Sequence, residues 1–187
     1  MTVATAVAEA LAVRRAAREV ASATAIQATF DRLASRIAGA VRDANPVLLT
    51  IMQGGAFAAV ELARRFDFPC EFDYVHLSRY GEALTGGALT WRVRPDPRLQ
   101  DRTVLVIDDI LDQGVTLTAL LDELRALGVA RVLTAVLVVK ELRSPQERPS
   151  VDFAGMRVGD SYVFGCGMDY KGYWRGLPAL YAVAGNG

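Results

Sequence analysis

Three carboxylates stand close together in the run Val104-Leu-Val-Ile-Asp-Asp-Ile-Leu-Asp-Gln-Gly-Val-Thr-Leu117. Asp108 and Asp109 are adjacent, Asp112 follows after two apolar residues, and Gly114 and Thr116 come next. Adjacent carboxylates suit a divalent cation or sugar hydroxyls. The glycine and threonine open a helical pattern, and the first-turn N–H groups of a helix have no intrahelical acceptor and bind anions. These types at this spacing point to a substrate carrying a phosphate, sugar hydroxyls and a divalent metal. Each fragment alone has a plainer reading: Asp108-Asp109 as solvated loop residues, Asp112-Gln113-Gly114 as a turn. The whole run behind four apolar residues is hard to read that way.

The elements that must position these groups follow from hydrophobic pattern. Residues 104–107 read as a buried strand, followed by a loop at its carboxyl end and a helix from about 116. Leu117, Leu120, Leu121, Leu124 and Leu127 mark the buried face of that helix and Gly128 stops it. In open parallel sheets, ligands bind outside the carboxyl ends of such strands. Residues 47–52 form a second continuous apolar run, followed by Gly54-Gly55 and a helix over about 56–66. Residues 71–77 alternate as a strand does, 79–88 are polar with three glycines and read as a mobile loop, and 89–93 form a short strand. A connector spans 94–101. Residues 132–139 are a buried strand ending at Lys140, 144–151 a Pro-rich loop, 162–165 a last short strand, and 170–183 an aromatic-rich tail. The first forty-odd residues are Ala-rich and helical in character. Ile26, Phe30, Leu33, Ile37 and Val41 fall on one helix face, which suits core packing or a subunit contact. Alternation of strands and helices predicts an α/β fold: one mainly parallel twisted sheet with helices on both faces.

Bulk properties narrow the function. The chain has 187 residues, enough for one domain with a substantial core, and 52% of them are apolar, which excludes disorder. Lys plus Arg balance Asp plus Glu at 21 each, so the basic excess of a nucleic-acid-binding protein is missing. A neutral chain that takes a highly phosphorylated substrate must hold it locally, with backbone N–H groups, a few cations and metal. Cys70 and Cys166 lack metal-ligand spacing and read as buried thiols of a reducing compartment. Residues 1–13 contain Glu9 and precede the first arginines, the wrong order for a secretory signal, and no uncharged apolar stretch is long enough to span a bilayer. The expected setting is cytoplasmic, with no membrane and no nucleic-acid partner. His76, the only histidine, alternates with aromatics in a strand pattern and reads as structural.

The segment 104–117 resembles the phosphoribosyl-diphosphate-binding motif of the type I phosphoribosyltransferases: an apolar strand, two acids, two apolar residues, an acid, and a loop closing on glycine and threonine. Other segments extend the resemblance to about residues 47–183. Met52-Gln53-Gly54-Gly55 matches the family's pyrophosphate loop, where glycine allows close backbone approach. Many relatives carry lysine where this chain has Gln53, so a backbone role carries over better than a side-chain one. Ser78-Arg79-Tyr80-Gly81 looks like the family's lid, which keeps water from the developing positive charge on the ribose carbon. Lys140, with Val151-Asp-Phe-Ala-Gly155 and Tyr162-Val-Phe-Gly-Cys-Gly-Met-Asp-Tyr170, resembles the base-binding region of the hypoxanthine–guanine phosphoribosyltransferases.

That resemblance implies specific roles. Lys140 would donate to a purine 6-oxo group, Tyr162 would stack on the base, and the Val163 carbonyl would accept from its edge. Asp169 would sit by the metal and the purine, and Arg175 would contact pyrophosphate. Asp112 would be the general acid–base at the purine N7. Asp108 and Asp109 would hold the ribose hydroxyls directly or through Mg2+. Gln113, Gly114, Val115 and Thr116 would hold the 5′-phosphate, and Gln53, Gly54, Arg79 and Tyr80 would complete the donor site. The implied fold is the type I phosphoribosyltransferase fold plus a small base-binding hood. Within a single domain 1–187, helices over about 4–43 would serve the hood or an oligomer contact, 47–140 the core and 141–183 the base-binding segment. The implied reaction joins hypoxanthine or guanine to 5-phosphoribosyl 1-diphosphate, in a homodimer or homotetramer. A xanthine-preferring transferase and a non-catalytic ligand-sensing regulator on the same fold remain as alternatives. Lys140 and the 163–169 segment argue against adenine.

Overall fold

The computed structural model describes residues 2–79, 89–142 and 148–185. Its longest helix answers directly to the apolar stripe. Helix α2 (Ala23–Val41) begins at Ser22, whose hydroxyl accepts from the Ala25 N–H, and buries Ile26, Phe30, Leu33, Ile37 and Val41. It is preceded by helix α1 (Val3–Ala16) and by a short strand, β1 (Arg18–Ala21). The strand corrects the expectation of helix throughout this region. Arg-Glu-Val-Ala has no apolar alternation of its own, and pairing with distant residues makes it a strand.

The core sheet is built from β2 (Val47–Met52), β3 (Glu71–Arg79), β4 (Leu89–Val93), β5 (Thr103–Leu111), β6 (Arg131–Lys140) and β7 (Phe153–Val158). Their order is β4-β3-β2-β5-β6-β7, with β4 antiparallel at one edge and the rest parallel. Helix α3 (Gly55–Ala63) follows β2, and helix α4 (Val115–Leu127) follows β5 and stops at Gly128 with φ of 78°. Helices α2 and α3 cover one face, packing on Leu48, Leu105, Ile107 and Leu137. Helix α4 covers the other, with Leu117, Leu120 and Leu124 against Leu49, Val104, Val106 and Val136. Strand β7 was not anticipated, because Gly155 and Arg157 interrupt its pattern. Gly155 is required there: a Cβ would collide with the Leu137 carbonyl and come within 2.9 Å of Thr29 on α2. Asp152 closes the entry to β7 by accepting from the Thr134 N–H and hydroxyl, each at 2.8 Å.

A second, three-stranded antiparallel sheet, β1-β9-β8, joins β1 to β8 (Val163–Phe164) and β9 (Leu180–Ala182). Helix α1 is tied to this layer and the turns beside it. Glu9 accepts from the Tyr170 hydroxyl and the Lys171 ammonium, each at 2.7 Å, the Trp174 indole donates to the Ala10 carbonyl, and Arg14 stacks 3.8 Å from the Tyr181 ring centre.

The core topology places the site. The chain leaves β2 for β3 on one side, whereas β5 leads to β6 on the other, so the strand order reverses between β2 and β5. The crevice outside the carboxyl ends of these two strands is where an open α/β sheet binds its ligand. Phe30 is fully buried between α2 and the sheet, 6.0 Å from the Phe57 ring centre. Phe30→Ala should lower the unfolding free energy by about 3–5 kcal/mol, measured by urea unfolding; a loss under about 1 kcal/mol would contradict this packing.

Candidate active site

The crevice holds the paired carboxylates, but not on a loop. Strand β5 runs on through Asp108 and Asp109 to Leu111, because its pairing with β6 continues to Ile110↔Val138 and Leu111↔Val139. Pairing with β2 ends at Ile107, so the carboxylates occupy a strand with one edge bare. Asp109 is only 7% exposed. Asp108 accepts from the Asp109 N–H at 2.9 Å, and Asp109 from the Ile110 N–H at 2.8 Å. Burial, then the Asp109 charge, holds Asp108 well above the usual carboxylate range. Burial also raises Asp109, opposed by its hydrogen bonds and by the more distant Arg175. Negative charge on the pair is therefore costly in the ligand-free site.

Two glycines close on Asp109. A Cβ on Gly54 would run into the Asp109 carboxylate; one on Gly167, where φ is +106°, would strike the Gly54 carbonyl and reach 3.1 Å from Asp109 Cβ. Gly55, first residue of α3, leaves only 2.5 Å between such a Cβ and the Ile107 carbonyl. The β2–α3 turn, the end of β5 and the 165–168 turn are thus packed backbone against backbone. The Met52–Gln53 peptide is cis, and Gln53 is exposed.

Below the pair lies the predicted anion loop. Asp112, Gln113 and Gly114 lead into α4, and Gly114 takes φ of +79° at the N-cap without a side-chain cap. The first helical bond runs from the Thr118 N–H to the Gly114 carbonyl, so the Val115, Thr116 and Leu117 N–H groups have no intrahelical acceptor. Val115 is partly exposed, as an open anion site requires. Arg148, which sequence reasoning missed, donates to the Asp112 carbonyl at 2.8 Å, and its Cβ lies 2.9 Å from where a Gly114 Cβ would stand. No local pattern marks Arg148; only the return of the chain from β6 brings it here.

The groups expected to bind a base fall into two sets. Lys140, at the end of β6, places its ammonium 3.4 Å from Asp112 and 3.5 Å from Asp160. Asp160 was also missed, since it follows the unanticipated strand β7. Tyr162 is partly exposed, meets Tyr170 edge-on at 5.9 Å, and donates to the Asp169 carbonyl at 3.1 Å. Val163 is buried in β8. Asp169 forms a 2.7 Å ion pair with Arg175 and accepts from the Gly172 N–H at 2.5 Å. Arg175 also donates to the Gly167 carbonyl at 2.7 Å and so braces the glycine turn against Asp109. Lys171 and Gly172, with φ of 48° and 87°, form the tight turn between Tyr170 and Tyr173. Among the described residues no three His, Cys, Asp or Glu side chains converge on a metal position, so Asp169 does not join Asp108 and Asp109 in a ready-made cage. Of the expected lid, Ser78 and Arg79 belong to β3, paired with Thr90 and Leu89, whereas Tyr80 lies outside the described residues. No described helix is long and apolar enough to cross a membrane.

Comparison with known proteins gives this geometry its class. The phosphoribosyl transferase domain family matches residues 16–171. Hypoxanthine-guanine-xanthine phosphoribosyltransferase of Tritrichomonas foetus is 30% identical over 155 residues, covering 83% of this chain and 85% of that protein. Hypoxanthine-guanine phosphoribosyltransferase of Bacillus subtilis (strain 168) is 27% identical over 159 residues, covering 83% and 86%. A solved hypoxanthine-guanine-xanthine phosphoribosyltransferase superposes with a TM-score of 0.75 at 26% identity, covering 89% of this chain and 96% of that one. The chain belongs to the type I phosphoribosyltransferase family, within its hypoxanthine–guanine phosphoribosyltransferase subfamily. It is accordingly a phosphoribosyl-transferring enzyme.

The carboxylate pair has a consequence for stability. A group whose folded-state pKa is raised favours folding while protonated and loses that contribution as pH rises through the folded value. Asp108→Asn keeps the acceptor for the Asp109 N–H and removes the charge. In ligand-free protein at neutral pH it should stabilise by about 1 kcal/mol, raising Tm by roughly 2–4 °C. The gain should shrink as pH falls toward the ordinary carboxylate range. Scanning calorimetry that shows Asp108→Asn less stable than its parent at neutral pH would refute this electrostatic picture.

Proposed function

We propose that the chain transfers the phosphoribosyl group of 5-phosphoribosyl 1-diphosphate to N9 of hypoxanthine and guanine. The observation that carries this is the Lys140–Asp112 pair, with donor and acceptor 3.4 Å apart at the mouth of the anion loop. The 6-oxo and N7–H edge of an oxopurine presents an acceptor beside a donor, the complement of that pair. Adenine places an amino donor opposite an ammonium that has only donors, leaving both unpaired. Xanthine shares the 6-oxo edge, so this pair admits it too.

In this reading the first turn of α4 and Thr116 hold the 5′-phosphate, and the backbone at Gln53 and Gly54 holds the diphosphate. Asp108 and Asp109 face the ribose hydroxyls. Asp112 accepts the N7 proton as N9 forms its bond to the anomeric carbon, and the bond from that carbon to the diphosphate oxygen breaks with its electron pair. Tyr162 and the Val163 backbone border the base, and Arg175 supports the diphosphate side. The donor set fits Mg2+ held largely by substrate. Negative charge on the two adjacent carboxylates is costly without a cation, and magnesium typically takes one or two carboxylates plus substrate phosphates. When bound, Mg2+ would offset charge on the departing diphosphate. A homodimer or homotetramer is part of the proposal, supported by the exposed apolar residues Val3, Val7 and Leu11 along α1 and Phe72 and Tyr74 on β3.

The test offers hypoxanthine, guanine, xanthine and adenine, each with the donor and magnesium, and follows the monophosphate. Transfer should occur to the 6-oxopurines and not to adenine. Asp112→Asn keeps shape but cannot take up a proton at neutral pH, so kcat should fall by about 10²–10⁴-fold. A variant within about threefold of the parent kcat would remove Asp112 from this role.

A further inference from the structure

Lys140 is held by two carboxylates, and only one of them has a part in the proposed chemistry. Lys140 ends β6 opposite Val158, the last residue of β7, and the Glu141 N–H donates to the Val158 carbonyl at 2.8 Å. The chain then turns at Gly159, with the Ser161 N–H donating to its carbonyl at 2.8 Å, and this turn carries Asp160 back to the lysine. The Asp160 carboxylate reaches 3.5 Å from the ammonium and Asp112 reaches 3.4 Å. The lysine side chain is 15% exposed, Asp160 29% and Asp112 46%, so Asp160 is the more enclosed partner. Both separations exceed the roughly 2.7–2.9 Å of a tight charge-assisted hydrogen bond. The ammonium is shared between the two acids and locked by neither.

We infer that Asp160 is a positioning residue for base recognition: it keeps Lys140 at the base edge and leaves Asp112 free for the purine. This rests on the reading of Lys140 and Asp112 given above. An arriving oxopurine covers Lys140 and removes it from water. A covered ammonium requires an anionic partner. If Asp112 were the sole one, its carboxylate would be committed to the lysine when the N7 proton needs it. Asp160 supplies the second partner from the hood side, so the lysine can turn to the 6-oxo group while still paired. Its effect on the base is exerted through Lys140, and the donor site, built on β2, β5 and α4, should not feel its loss.

Steady-state kinetics on the full-length enzyme test this. Asp160→Asn, which keeps shape and deletes charge, should raise KM for hypoxanthine and guanine about tenfold. KM for the phosphoribosyl donor should stay within about twofold of the parent. Asp160→Glu restores the charge and should bring the base KM back to within about threefold. In a Lys140→Met background, itself weakened toward both bases, Asp160→Asn should add less than a further twofold or so. An unchanged base KM in Asp160→Asn, a penalty that multiplies fully on Lys140→Met, or loss of a cooperative thermal melt in Asp160→Asn overturns the inference. A parent enzyme that transfers to no 6-oxopurine overturns both this inference and the reading beneath it. An active parent with an unaffected Asp160→Asn overturns the inference alone.

Discussion

The site depends on an absence of side-chain atoms around Asp109. Gly54 ends the β2–α3 turn against its carboxylate, and Gly167 brings the hood turn onto the Gly54 carbonyl and the Asp109 Cβ. Neither approach tolerates a methyl group. Three segments far apart in the chain are thereby locked into one rim, and each delivers a different function to it. The β2 turn brings backbone N–H groups, β5 brings carboxylates, and the hood turn brings Asp169 and Arg175, themselves ion-paired at 2.7 Å. Arg175 secures the arrangement by donating to the Gly167 carbonyl, while the Gly167 N–H donates back to the Arg175 carbonyl at 2.9 Å.

The electrostatics follow from this packing. Closing backbone over Asp109 removes water from it, and desolvation pushes both carboxylates upward. Among the described residues the cations nearby are engaged elsewhere: Arg175 with Asp169, Arg148 with the Asp112 carbonyl, Lys140 between Asp112 and Asp160. Gln53 adds no charge. In the proposed reading, a chain with no net charge would hold a polyanionic substrate with helix-end and turn N–H groups, and its carboxylate pair would be balanced by what arrives with the substrate. A site arranged this way costs stability in the unliganded state, in keeping with the general trade between activity and stability.

Much of this was legible in the sequence where the pattern is local. The Ile26–Val41 stripe, the apolar runs at 47–52 and 132–139, and the glycine stop at Gly128 are all written at short range, and the structure follows them. The carboxylate run was legible because its chemistry is contiguous. Elements defined by partners were not. Strand β5 extends through Asp108 and Asp109 because β6 is long enough to pair with it, which no residue in β5 announces. Strands β1 and β9 are four and three residues long and exist through each other. Asp160 and Arg148 meet the site only through chain return, so their positions could be found from coordinates alone. Lys140 marks the limit: a lysine the sequence singled out brought a partner, Asp160, that it did not announce.

Titration of the phosphoribosyl donor with magnesium into Gly54→Ala, against the parent, tests the central constraint most directly. Gly54 has φ of −60° and ψ of −45°, which alanine adopts without strain, so the substitution changes only the space in front of Asp109. Calorimetry should show donor affinity weakened by about tenfold or more, equivalent to about 1.4 kcal/mol per decade, in a variant that still melts cooperatively. Donor affinity equal to the parent's would contradict the account, because the rim would then not need its closest contact.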